Sequence, residues 1–153
     1  MAIQLLQISN DEFEETFGIF KQYMYPIIDA AIGWDEVYQS NGFRSHLKPE
    51  WFSWITVKGQ RVGLVCHRFR EASLHIHLLI IFSHAQRKGL ASEVLNALEV
   101  EASNCDKLVT LSCFKNNNQA FELYNKNGYV IHAEDEMFYD LIKMNSYLTN
   151  TAQ

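Results

Sequence analysis

The sequence predicts one α/β (α+β) domain spanning residues 1–153, and three observations carry that class. With 48% hydrophobic and 20% charged residues, the chain can fill one hydrophobic core but not two. Its first half holds short apolar runs rich in β-branched and aromatic residues on either side of a tight turn, the pattern of an antiparallel hairpin. Its second half alternates amphipathic helices with short strands. Only 2 prolines and 7 glycines, with no low-complexity tract, exclude collagen-like and disordered classes.

Taken in order, Ile3–Ile8 has the apolar content of a short strand, and Ser9-Asn10-Asp11 offers helix N-cap residues ahead of an acidic first turn. Phe13, Phe17, Phe20 and Met24 then recur at helical spacing up to Pro26, while Glu12, Glu15 and Lys21 can face water. From Ile27 to Leu47, the residues Trp34, Val37, Tyr38 and Phe43 suggest a second short helix interrupted by Gly33 and Gly42. Trp51–Val57 and Val62–Arg70 flank the turn Lys58-Gly59-Gln60-Arg61 and read as a β-hairpin. Leu74, Ile76 and the run Leu78–Phe82 make a largely buried third strand from Ala72 to about Ser83. Leu90, Val94, Leu95, Leu98 and Ala102 then stripe one face of a helix, and Leu108–Phe114 forms a strand. A last helix covers roughly Asn118–Asn127, with Gly128 at its stop. Tyr129–Ala133 and Met137–Met144, joined across Glu134-Asp135-Glu136, close as an antiparallel hairpin.

Charge and cysteine usage narrow the function. Thirteen basic against 18 acidic residues give a net charge of -5, a field that repels phosphate backbones and argues against nucleic-acid binding. Cys66, Cys105 and Cys113 are an odd set without C-x-x-C spacing, so neither a disulfide framework nor a zinc site is expected, and a reducing cytoplasm fits best. The N-terminus shows no basic leader and Leu78–Phe82 is too short to cross a bilayer, so no membrane association is expected. His46, His67 and His132 lack partners at metal-ligand spacing, His84 suits a solvent-facing role, and no metal is expected.

Gln86-Arg87-Lys88-Gly89-Leu90-Ala91 lies where the buried strand gives way to a helix. Backbone N–H groups at a helix start have no intrahelical acceptors. With the helix dipole, the absent side chain of Gly89, the small Ala91 and the charges of Arg87 and Lys88, this turn can bind an anion. Alone, a glycine beside basic residues also fits an ordinary surface turn. A second motif follows in Asn117-Asn118-Gln119-Ala120-Phe121-Glu122-Leu123-Tyr124-Asn125-Lys126-Asn127-Gly128-Tyr129. Q-x-x-G-x-A after a buried strand, then N-x-x-A-x-x-L-Y-x-K-x-G-Y, resembles the GNAT superfamily of acetyl-CoA-dependent N-acetyltransferases, and the element order fits across nearly the whole chain.

That resemblance implies a mixed, mostly antiparallel central sheet of about seven strands flanked by about four helices, its two middle strands splayed to admit the pantetheine arm of acetyl-CoA. It implies that Leu79, Ile80 and Ile81 offer main-chain groups to that arm and to the thioester carbonyl. Gln86, Arg87, Lys88, Gly89, Leu90, Ala91 and Ser92 would hold the pyrophosphate, and Asn117 would contact the cofactor. Tyr124 falls on the tyrosine that protonates the departing CoA thiolate, a task a neutral phenol suits. By position alone, beside Leu123 and four residues beyond Ala120, Tyr124 equally fits a core residue.

An amine must lose its proton before it attacks a thioester, and histidine titrates in the right range for a base. His75 and His77 are two apart on one strand, which puts both side chains on the same face. In this register the H-x-H pair is similar to that of the animal serotonin (arylalkylamine) N-acetyltransferases, which implies a relay of the amine proton through water. Structural hydrogen bonding is the other use such strand histidines find. Activity is then expected to rise through an ionisation near an unperturbed histidine's pKa of about 6.5. Histone-acetylating relatives carry a catalytic glutamate where His75 falls, and protein-N-terminus-acetylating relatives carry one where Ser112 stands. Cys113 reads as a small buried hydrophobe.

Trp34, Tyr38, Phe43, Trp51 and Trp54 lie in the portion that, by resemblance, walls the acceptor site, although a small domain uses aromatics for burial first. Asp35, Glu36 and the acidic turn at 134–136 can attract a cationic amine. The expected function is transfer of the acetyl group of acetyl-CoA to the primary amine of a small-molecule acceptor, by direct attack in a ternary complex. Tyr124 is the expected acid, with His75 and His77 the base relay. The alternatives are a protein or peptide N-acetyltransferase and a non-catalytic acyl-CoA-binding sensory module. The sequence leaves a homodimer open.

Overall fold

The computed structural model describes residues 2–143. Its elements run β1 (Ile3–Gln7), α1 (Phe13–Ile32), α2 (Glu36–His46), β2 (Phe52–Val57), β3 (Gln60–Phe69), β4 (Ser73–Ile81), α3 (Leu90–Asn104), β5 (Leu108–Phe114), α4 (Asn118–Lys126), β6 (Tyr129–Glu134) and β7 (Phe138–Lys143). The strands follow the order β1-β2-β3-β4-β5-β7-β6 in a 7-stranded sheet. β1 with β2, β2 with β3, β5 with β7 and β6 with β7 are antiparallel, and β4 with β5 is parallel. The mixed, mostly antiparallel sheet with its four α-helices is the predicted class.

Three features depart from the sequence reading. α1 does not stop at Pro26 but runs on to Ile32. Proline removes one helical hydrogen bond and crowds the carbonyl four residues back, yet Ile28, 2% exposed, anchors the turn beyond it in the core. α1 ends instead at Gly33, whose φ of +80° no β-branched residue would adopt easily, with its N–H donating to Asp29. α2 likewise passes through Gly42 without a break, started by Asp35, whose side chain accepts the Tyr38 N–H at 3.0 Å. The β2–β3 turn is tighter than expected: Lys58 and Gly59 both have positive φ (+52° and +78°), the type I′ pattern whose twist matches the flanking strands. Met144, the expected end of the last strand, lies outside the described residues.

The contacts gather into two compact units: one holds residues 2–66 together with Leu78–Leu90, the other holds His67–His77 and residues 91–143. In the first unit Phe43 of α2 meets Phe17 and Phe20 of α1 and Phe52 of β2, with ring centroids 5.3, 5.1 and 5.6 Å away. Ile8, Trp54, Leu64, Leu78 and Ile80 complete that core. The second unit buries Leu74, Ile76, Val94, Leu95, Leu98, Val109, Leu111 and Leu141. Leu74, Ile76, Val109 and Leu111 are alternate residues of β4 and β5, Leu141 lies on β7, and Val94, Leu95 and Leu98 belong to the apolar stripe of α3 that the sequence patterning selected.

Candidate active site

Within the first unit, the end of β4 carries the expected cofactor strand. Leu78 and Ile80 are buried, while Leu79 and Ile81 are half-buried. Gly63 of β3 packs directly on this segment: a Cβ there would lie 2.3 Å from the Ile80 carbonyl oxygen and 3.0 Å from Ile55 Cδ1. Glycine in a strand interior marks such a close backbone approach. The loop that follows is tied back by Gln86, whose Nε2 donates to the Ile81 carbonyl at 2.9 Å. Arg87 (φ +66°) and Gly89 (φ +78°) both turn left-handed, and α3 starts at Leu90. A Cβ on Gly89 would meet nothing within 4 Å, so this face of the loop is open to an approaching group. Arg87, Lys88 and Gly89 are exposed. The turn therefore fits a pyrophosphate: exposed backbone and two cations at the start of a 15-residue helix.

The remaining predicted residues lie in the second unit. Ala91 and Ser92 sit in the first turn of α3, and Ser92 Oγ accepts from Asn127 Nδ2 at 3.1 Å. Asn117 is the N-cap of α4, its Oδ1 accepting the Ala120 N–H at 3.3 Å, which leaves the amide NH₂ to donate elsewhere. Tyr124 is 8% exposed, and its ring stands edge-on to Tyr129 at 5.9 Å. Its hydroxyl bonds to no described residue. Burial first, and the neighbouring Cys113 sulfur second, push its pKa well above the usual phenol range. Burial also raises the Cys113 thiol to about 11.

β4 and β5 pair from Ser73↔Leu108 to Ile76↔Leu111, and that ladder ends before either strand does. On this register His75 sits opposite Thr110, with Nδ1 and Thr110 Oγ1 2.8 Å apart. The His75 and His77 rings meet edge-on at 4.8 Å. Burial is the main cause that lowers both imidazoles to about 4; Arg68 and Arg70 add repulsion at both, and at His77 the His75 ring acts before them. Asp140 of β7 pulls His75 the other way and accepts from Ser112 Oγ at 2.7 Å. Both histidines are thus neutral over the physiological range, and the expected ionisation near 6.5 moves down because a half-buried strand face disfavours the imidazolium.

Sequence reasoning missed Thr110, Arg68 and Arg70. All are chemically legible residues, but which strand neighbours β4, and in what register, is not written in any local pattern. Of the aromatics assigned to the acceptor wall, Phe43 and Trp54 are core. Trp34 and Trp51 are half-buried, and Tyr38 is exposed. Tyr25 lies over Trp34 at 5.1 Å, and the Trp34 indole donates to Glu36 at 2.9 Å. Among the described residues no group of His, Cys, Asp and Glu could hold a metal ion, and no helix is long and apolar enough to cross a membrane.

A family model described as an acetyltransferase (GNAT) domain matches residues 29–147. The fold is that of PaiA N-acetyltransferase from Thermoplasma acidophilum, solved in complex with coenzyme A: TM-score 0.73 and 16% identity over 95% of this chain and 100% of that one. It is similar also to an acetyltransferase from Thermus thermophilus (TM-score 0.69, 14% identity, 94% and 97% covered). A third similar structure is an Arabidopsis thaliana protein solved with the bisubstrate analogue CoA-Ac-MVNAL (TM-score 0.64, 17% identity, 95% and 100% covered). A comparison with curated proteins finds no match.

Proposed function

Because the chain belongs to the GNAT acetyltransferase family, we propose that it transfers the acetyl group of acetyl-CoA to the primary amine of a small-molecule acceptor by direct attack in a ternary complex. Acetyl-CoA supplies the activated acyl group. By the family's pattern, the main chain of Leu79–Ile81 and the loop Gln86–Ser92 bind the cosubstrate, joined by the spare amide of Asn117.

The observation that carries the reading is the Tyr124 hydroxyl. The Tyr124 ring is buried while its hydroxyl bonds to no described residue, so its O–H is available to a group that arrives with the ligand. Burial keeps its proton on at neutral pH, so Tyr124 Oη donates to the sulfur as the carbon–sulfur bond breaks. His75 and His77, both neutral, accept and pass on the proton that the amine sheds. A pKa near 4 makes them weak bases, which suits a relay to water better than a final resting place for the proton.

The acceptor reading is supported by the Tyr25–Trp34 pair and Asp29 beside it, which accepts from the Trp34 N–H at 2.9 Å; Glu36 is already paired with Lys21 at 2.7 Å. An amine with an apolar body suits that surface. A peptide amine is the second reading, favoured by the relative solved with CoA-Ac-MVNAL.

Two measurements test the reading. Acetyl-CoA at about a hundred times its Kd adds roughly 2.7 kcal/mol to the native state, which for a chain of this size raises the melting temperature by roughly 5–10 °C. An unmoved melting curve overturns the cosubstrate. Thiol release across small amines and peptides then decides the acceptor: turnover confined to peptides replaces the small-molecule reading with the second one.

The pH profile follows from the depressed histidines. kcat/KM should hold its value down through pH 6 and fall along a limb near pH 4, because only below that value do the imidazoles take up protons. The fold weakens over the same range: the unfolded chain binds more protons between the unfolded value of about 6.5 and the folded one, so stability is lost as pH falls through that window. Tryptophan fluorescence recorded at each pH separates the two effects. A limb at 6.5 with the fold intact, abolished in the His75→Gln, His77→Gln double variant, would show the histidines exposed when cosubstrate binds.

A further inference from the structure

Across the parallel ladder, Thr110 Oγ1 makes two contacts that cannot both be donations. It donates to Ser73 Oγ at 3.3 Å, and it lies 2.8 Å from His75 Nδ1. A hydroxyl carries one hydrogen. With that hydrogen given to Ser73, the oxygen meets His75 only as an acceptor, and Nδ1 must carry the ring proton.

We propose that Thr110 is a positioning residue that holds neutral His75 in its Nδ1–H tautomer, so that Nε2 presents a lone pair to the proton being removed from the acceptor amine. The inference rests on the reading of His75 as part of the base relay. Imidazole free in water favours the other tautomer, which would put a hydrogen on Nε2 where an acceptor is needed. The second ring nitrogen's hydrogen bond decides which tautomer a histidine takes. Here the partner comes from the neighbouring strand rather than from a carboxylate, so His75 gains orientation without gaining positive charge. Of the charged groups around it, Arg68 of β3 and Arg70 just beyond that strand oppose protonation, and Asp140 of β7 favours it. His77, beside it on β4, is itself held neutral.

Long-range proton–nitrogen NMR of the imidazole rings at neutral pH tests this in the parent protein, with His75→Gln to assign the signal. His75 should show the Nδ1–H pattern. Thr110→Val removes the hydroxyl and keeps the shape: His75 should shift to Nε2–H, and kcat should fall about 10²-fold, the lower end of a general base's contribution, with KM for acetyl-CoA little changed. Thr110→Ser should restore both tautomer and rate. A parent His75 carrying its proton on Nε2, or a Val variant that keeps Nδ1–H, overturns the tautomer assignment. A Val variant that changes tautomer at parental kcat overturns the role in the reaction. If the His75→Gln, His77→Gln double variant also turns over at the parental rate, the base relay itself has failed, and Thr110's failure follows from it.

Discussion

Tyr124→Phe should leave acetyl-CoA affinity close to that of the parent and lower kcat by about 10²- to 10⁴-fold, the usual worth of a general acid. Phe keeps the ring that stands against Tyr129 and removes only the donor. Stability supplies the control. A tyrosine whose hydroxyl held the core together would cost about 1 kcal/mol on losing it, whereas a hydroxyl that bonds to no described residue is lost at little cost. The expected variant is therefore folded, about as stable as the parent, able to bind and slow. If turnover is unchanged under single-turnover conditions, where chemistry limits, Tyr124 is a core residue and the proton reaches sulfur from solvent.

Gly63→Ala should cost about 1–3 kcal/mol of stability, the range for overpacking a filled interior, and should weaken acetyl-CoA binding as well. The new methyl group would stand 2.3 Å from the Ile80 carbonyl oxygen, a main-chain atom that moves only if β4 moves. Leu79 and Ile81, whose backbone is assigned to the cosubstrate, flank that atom. The other close contact, Ile55 Cδ1 at 3.0 Å, is the tip of a flexible side chain. Trimming it with Ile55→Val in the Gly63→Ala background should therefore not restore binding. Calorimetric titration with acetyl-CoA, paired with a melting curve, decides this: parental affinity in a folded variant would show that the β3–β4 spacing has no bearing on the cosubstrate strand.

The elements governed by local chemistry were legible. Leu108–Phe114 follows from alternation, and a turn at Lys58-Gly59 from its glycine, although not its two-residue length with positive φ at both residues. The course of α1 past Pro26 was not, because a proline's local cost is visible in the sequence while the burial of Ile28 that offsets it is a tertiary fact. The candidate site divides the same way. The loop at Gln86–Gly89 and the segment Asn117–Tyr124 were found as motifs, and two histidines on one face follow from period two. The protonation state of those histidines depends on how deeply β4 is covered and on arginines at the end of the preceding strand and just beyond it, neither of which has a local signature. Gly63 gave a signal, a glycine inside a strand, without saying which backbone it admits.

An enzyme that releases a thiol in every turnover works among thiols and their disulfides, and Cys113 is the side chain near Tyr124 most exposed to that hazard. Disulfide exchange proceeds through the thiolate. With its pKa raised to about 11 by burial, only about one Cys113 in ten thousand is ionised at pH 7. Sulfur can thus sit beside the proton donor as packing material, close enough to be felt by Tyr124, and still resist capture as a mixed disulfide with the product. Cys105, exposed on the surface, has no such protection. The same burial that holds the Tyr124 proton in place for its task keeps the neighbouring thiol chemically silent.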